Sequence, residues 1–281
     1  MKTGVGLPNM IPGTPAGDLL TWARTAERRN FSTLSVVDRL VYGGHEPVVA
    51  LTAAAAVTTG IHLSTQVLIA PYRSATAPLA AQLASLQQLS GNRLSVGVSS
   101  GVRPDDYEAA GASYHDRGRR LDKMIEEMTG MWSEGRVCAR PDVLPELLVG
   151  GRSEAALRRT ARYADGVVVT NPPASYPERA AQAQELWSEA GRPGGPRMVA
   201  QLYYALGPDA DEVASGYLHD YFAFAGPAAE FLAKGALTSP DAIREARDAY
   251  AAAGCDELVL LPCSSDPDQL ELLGDVLELG R

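Results

Sequence analysis

Leu147-Leu148-Val149-Gly150-Gly151-Arg152-Ser153 runs straight into a helical pattern from Glu154 to Ala164, and Asp165-Gly166 then leads into Val167-Val168-Val169. An apolar run that stops at two glycines allows a sharp turn and a close backbone approach to a ligand. Ser153 is suited to cap the helix, whose apolar face would be Ala156, Leu157, Thr160, Ala161 and Ala164. The stretch therefore reads strand–loop–helix–strand. Its helix N-terminus presents free amide groups and a positive dipole end, the makings of a phosphate cup. Taken alone, the same residues also fit a plain corner between strand and helix.

Outward from this unit the pattern repeats. Strand-like runs are Gly4–Leu7, Thr33–Val37, Leu63–Ile69, Leu94–Val98, Leu147–Val149, Val167–Val169, Met198–Leu206 and Leu258–Leu261. Helical patterns lie between them at about 15–29, 47–59, 76–89, 116–132, 153–164, 176–190, 209–253 and 267–278. Strands alternating with helices imply a parallel sheet, and eight such units imply an α/β fold of the closed (β/α)8 TIM-barrel type. A doubly wound open sheet is the rival, with fewer units. No linker or low-complexity tract divides the chain, so residues 1–281 are expected to form a single domain.

Composition narrows the function. The chain has 46% hydrophobic and 21% charged residues and a net charge of -9, which argues against nucleic acid and against anionic membrane surfaces. No run approaches the roughly 18 apolar residues of a membrane helix. Cys138, Cys255 and Cys263 lack CxxC spacing and read as reduced thiols, so a cytoplasmic protein is expected.

In a barrel, the active site is built from loops after the strands. Here these loops hold Asp38, Arg39, Tyr42 and His45 after strand two, Tyr72 after strand three, and Ser99, Ser100 and Arg103, then Tyr107, after strand four. His62 opens strand three and is expected at the structural end of the barrel. His45, His62, His115 and His219 form no paired ligand motif, so no metal site is expected. Lys2, Lys123 and Lys234 do not fall at strand ends, which leaves no Schiff-base lysine. No Gly-x-Ser-x-Gly elbow occurs. What remains is a phosphate cup beside polar loops, suited to a phosphorylated organic cofactor that brings its own chemistry. Tyr217, Tyr221 and Phe224 recur at helical spacing and read equally as core or as an aromatic substrate wall.

Four segments carry a resemblance over nearly the whole length: Val37-Asp38-Arg39-Leu40, Leu89 to Val98, Gly118 to Asp122 with Met131-Trp132, and Leu148 to Gly166. In this order and spacing the chain resembles the bacterial luciferase-like family of flavin-dependent oxidoreductases, which also includes enzymes of the deazaflavin coenzyme F420. The resemblance implies a cofactor, reduced FMN or F420, across the barrel mouth with its phosphate at Gly150, Gly151, Arg152 and Ser153. Its ring would lie near Gln66, Val67, Ser99 and Ser100, with Asp38 and Arg39 on the substrate side. It further implies a cis non-proline peptide near Gln66-Val67, a homodimer, a small organic substrate, and a flavin reductase as partner if the cofactor is reduced FMN.

Two positions depart from the family. Relatives often follow the strand-two Asp with His, where this chain has Arg39, which cannot shuttle protons near neutral pH. Several deazaflavin enzymes carry Glu just after strand four, where this chain has Ser99-Ser100. His45 or Tyr42 is left as the substitute for the missing His. The catalytic candidates are thus Asp38, Arg39 and His45, and the substrate candidates Tyr42, Tyr72, Tyr107 and Tyr221. The leading expectation is a monooxygenase using reduced FMN and oxygen. The alternatives are F420-dependent hydride transfer, a non-catalytic flavin-binding barrel, and a phosphosugar isomerase or aldolase using the same cup.

Overall fold

The structure is a computed structural model that describes residues 1–280. Eight parallel strands close into a barrel in sequence order, β1 pairing with β8. They are β1 Lys2–Gly6, β2 Thr33–Val36, β3 His62–Ile69, β4 Leu94–Ser99, β5 Glu146–Gly150, β6 Gly166–Val169, β7 Arg197–Tyr204 and β8 Glu257–Pro262. The outer helices are α1 Ala16–Arg28, α2 Pro47–Ala55, α3 Thr76–Leu89, α4 Pro104–Ala109, α5 Arg117–Glu134, α6 Glu154–Tyr163, α7 Tyr176–Glu189, α8 Ala210–Tyr221, α9 Ala228–Lys234, α10 Pro240–Ala252 and α11 Asp268–Val276.

Helix patterning explains how the ring packs. In α5, Leu121, Met124, Ile125, Met128 and Trp132 are buried at spacings that place them on one face. Gly135 in the left-handed conformation ends the helix, and the Trp132 indole donates to the Ala80 carbonyl at 2.9 Å, locking α5 to α3. In α6 the Ser153 hydroxyl accepts from the Ala156 amide at 3.3 Å, and Ala156, Leu157, Thr160 and Ala161 are buried as the periodicity predicts.

Two segments differ from the sequence expectation. The region 209–253, expected only as a longer helical region, divides into three helices, because Gly226 takes φ +54 before Pro227 and Ser239-Pro240 starts a new cap. The strand-four loop contains the short α4, started by Pro104 at its first turn.

The N-terminal ends of the strands carry a polar network. Glu257 is completely buried and accepts from Ser32 Oγ at 2.5 Å, Thr33 Oγ1 at 2.6 Å and the Arg197 guanidinium. Arg197 also pairs with Glu146, which accepts from Ser95 Oγ. Since the Ser95 proton goes to Glu146, His62 Nε2 must donate to Ser95 Oγ at 2.6 Å, so His62 is structural, as expected.

Burial, and next the Arg197 charge, lower the His62 pKa below its ordinary 6.5. The unfolded chain then binds the proton more readily, so stability contributed by neutral His62 is present above pH 6.5 and lost as pH falls below it. Thermal midpoints should drop below that pH, and His62→Gln should flatten the drop. Arg197→Met should cost about 3–5 kcal/mol in urea denaturation, because Glu257 is left buried without its cation. Adding Glu257→Gln should restore part of that loss.

Candidate active site

At the C-terminal ends of the strands a cavity of about 880 Å³ opens. Its floor comes from β3, where the register slips by one residue: Thr65 and Leu68 pair with Val96 and Val98, so β3 holds one extra residue. Such bulges re-aim side chains beside active sites. The Gln66–Val67 peptide inside it is cis, at the place the family resemblance implies. Val67 fits because two neighbouring strands have no side chain there. A Cβ on Gly150 would lie 2.8 Å from Val67 Cγ1, and one on Gly97 would lie 2.2 Å from the Thr65 carbonyl oxygen. Gln201 Nε2 donates to both the carbonyl and Oε1 of Gln66 at 3.0 Å, which holds the Gln66 amide still.

The β5 loop forms one wall. Gly151 has φ +150, which side-chain-bearing residues rarely adopt, and its amide donates to the Val168 carbonyl at 3.2 Å. Gly150, Gly151 and Arg152 line the cavity. Arg152 is exposed and makes no ion pair or hydrogen bond among the described residues. Ser153 lies off the wall, its hydroxyl occupied as the helix cap. Bare glycine backbone, a free guanidinium and the start of α6, whose first amides have no intrahelical partner, fit a phosphate group.

The strand-two candidates are placed differently from the expectation. Asp38 reaches the cavity, but its carboxylate accepts from the Ile69 amide at 2.7 Å, Tyr72 Oη at 2.5 Å and Arg73 Nη1 at 2.7 Å. It ties β2 to the end of β3, and both of its oxygens are engaged by protein donors. Arg39 is not on the wall: it pairs with Asp105 at 2.8 Å and lies over the Tyr42 ring at 5.0 Å. His45 also lies away from the cavity, its Nε2 held 3.0 Å from the Thr14 carbonyl, so it cannot substitute for the missing His.

Of the tyrosine candidates, Tyr221 lines the cavity and the other three do not. Tyr42 donates to Asp220 at 2.5 Å, Tyr72 to Asp38, and Tyr107 to the Ser100 carbonyl at 2.6 Å. Burial and then the Asp38 charge push the Tyr72 phenol far above its ordinary range, so it stays a donor. Ser99 lines the cavity, whereas Ser100 contributes its carbonyl to Tyr107 and lies off the wall.

Sequence reasoning missed Gln201 and the aromatic wall of Tyr203, Phe222 and Phe231, and it named Arg103 only as part of the strand-four loop. Gln201 had a signal: it is a polar residue in the middle of the apolar β7 run. Tyr221 and Phe224, singled out by spacing, do line the cavity, while Tyr217 stacks on Tyr221 at 5.5 Å and donates to the Met10 carbonyl. The remainder depends on how α8 and α9 fold back over the mouth.

A family model described as luciferase-like monooxygenase matches residues 1–269. The chain belongs to that family. An uncharacterized protein of Mycobacterium tuberculosis is 30% identical over 206 residues, 60% of this chain and 71% of that protein. The FMNH2-dependent dimethylsulfone monooxygenase of Pseudomonas putida is 27% identical over 231 residues, 74% of this chain and 62% of that enzyme. Among solved structures, an F420-dependent secondary alcohol dehydrogenase in complex with an F420-acetone adduct shares the fold over 100% of both chains, with TM-score 0.84 and 18% identity. Monooxygenase RslO1 from Streptomyces bottropensis gives TM-score 0.80 at 22% identity over 99% of both chains. The luciferase-like family is one of oxidoreductases, and its named relatives use reduced FMN or F420.

Asp38→Ala would leave three donors without their acceptor and Arg73 short of a counter-ion. The expected cost is about 3 kcal/mol of stability in urea denaturation. Lost turnover at unchanged stability would return Asp38 to the chemistry.

Proposed function

We propose that this protein is a monooxygenase that uses reduced FMN and oxygen on a small organic substrate. The observation that carries this reading is that the cavity offers neither a histidine nor an unengaged carboxylate. Among the described residues no histidine lines it, and both lining carboxylates are engaged: Asp38 as above, and Asp106 by the Leu40 and Val41 amides at 3.0 and 2.8 Å. Interconverting an alcohol and a carbonyl by hydride transfer also moves a proton, which calls for a positioned acid or base. Bound reduced FMN would supply oxygen activation, and the protein's task is to bind, orient and exclude water.

Each part of the cavity has a role in that task. Gly150, Gly151, Arg152 and the start of α6 would hold the phosphate. Val67, backed by Gly97 and Gly150, would support the flat ring, and the fixed Gln66 amide would offer it polar contacts. Tyr203, Tyr221, Phe222 and Phe224 would keep water from the reacting atoms. The relatives named as FMNH2-dependent monooxygenases support the same cofactor, which a separate flavin reductase would supply.

Anaerobic titration with reduced FMN and with F420 tests the cofactor, and tighter binding of F420 would overturn the proposal. Arg152→Glu should weaken FMN about tenfold, roughly 1.4 kcal/mol, and leave riboflavin, which has no phosphate, unchanged. An equal effect on both, or none, would remove Arg152 from the phosphate site.

A further inference from the structure

Arg103 occupies an unusual position for a cation. It is 8% exposed, lines the cavity, and has no carboxylate within ion-pair distance among the described residues. The neighbouring acids are taken: Asp105 pairs with Arg39, and Asp106 accepts from two backbone amides. Its guanidinium instead lies over the Tyr221 and Phe224 rings, 4.4 Å from each centroid. Arg103 Nη2 donates to the Tyr221 carbonyl at 3.1 Å, and its other N–H groups have no protein acceptor. The rings and the carbonyl fix its orientation without neutralising its charge. A buried charge is costly unless it is paired, so the cavity is built around a cation that lacks its anion.

We infer that Arg103 binds an anionic head group, a carboxylate or sulfonate, on a substrate whose remaining body is apolar. The inference rests on reading this cavity as the substrate pocket of the proposed oxidoreductase. A planar guanidinium suits both head groups through paired N–H donors, and the rings pre-organise it for that contact. The aromatic and aliphatic surface beside it, from Phe222, Leu232 and Leu237, suits an alkyl or aryl body. The side chain leaves the β4 loop and reaches the end of α8, whereas the phosphate cup is at β5 with its own cation, Arg152. Two separated cations match two separate anions, one on the cofactor and one on the substrate. The cavity thus attracts anions although the chain carries a net charge of -9.

Calorimetric titration with hexanoate, hexane-1-sulfonate and 1-hexanol tests this on the wild type, Arg103→Leu and Arg103→Lys, each also titrated with FMN and riboflavin. The wild type should bind the two anions at least about tenfold more tightly than the alcohol. Arg103→Leu should erase that preference, Arg103→Lys should keep part of it, and FMN affinity should not change. Equal binding of anion and alcohol to the wild type, or a preference that survives Arg103→Leu, overturns the inference. So does a selective loss of FMN over riboflavin in Arg103→Leu, which would assign the guanidinium to the cofactor's phosphate. If Arg103→Leu does not fold, the wild-type comparison and Arg103→Lys still decide. Anion preference without any flavin binding would uphold the site and defeat the proposed function, so the two readings fail separately.

Discussion

The cavity depends on Val67 being seated against two strands that have no side chain to oppose it. Gly97 and Gly150 sit on the strands that follow β3, and a Cβ on either would collide with the backbone or side chain of β3. Thr65 secures the other side of the contact: its hydroxyl donates to the Gly97 carbonyl at 2.9 Å and accepts from the Gly97 amide at 2.8 Å. β3 can therefore hold its extra residue without losing its place in the ladder. The floor of the pocket is a packed junction of three strands rather than a loop, which holds its side chains more precisely than a loop would.

Charge around the mouth is arranged by the same logic of fixed partners. Asp38, Asp105 and Asp106 all lie near the opening, yet each is neutralised or hydrogen-bonded by Arg73, Arg39 or backbone amides. Their role is to hold the β2, β3 and β4 loops in register with one another. Among the cavity residues Arg103 and Arg152 are the cations without a carboxylate partner, while Lys234 pairs with Glu230 at 3.0 Å. The acids build the frame and the unpaired cations face the ligand space.

Most of the barrel was legible because buried parallel strands and amphipathic helices leave strong local patterns, and all eight strands fall where apolar runs predict them. The β5 loop was legible for the same reason: Gly150-Gly151 and the Ser153 cap are local features. Roles that depend on side-chain direction were not. Asp38, Tyr72 and Tyr107 follow strand ends, where functional residues gather, but each turns toward a neighbouring loop. His45 is close to Asp38 in sequence and is drawn to the Thr14 carbonyl on another loop. The wall from α8 and α9 is set by packing between distant segments, and spacing alone could not choose between core and pocket for Tyr221.

The two ends of the barrel divide stability from function. At the N-terminal ends, Glu257, Arg197, Glu146, Ser95 and His62 form a network in which each named polar group has a partner. Satisfied buried networks rigidify a core, and this one joins β2, β3, β4, β5, β7 and β8 at a single layer. At the opposite end Arg103 and Arg152 are left with donors to spare, Arg103 buried in the cavity wall and Arg152 exposed. The unpaired cations lie at the end where the loops open, and the paired network at the end where the strands begin. That polarity follows from parallel strands, which put every strand's C-terminal end, and hence every variable loop, on the same face.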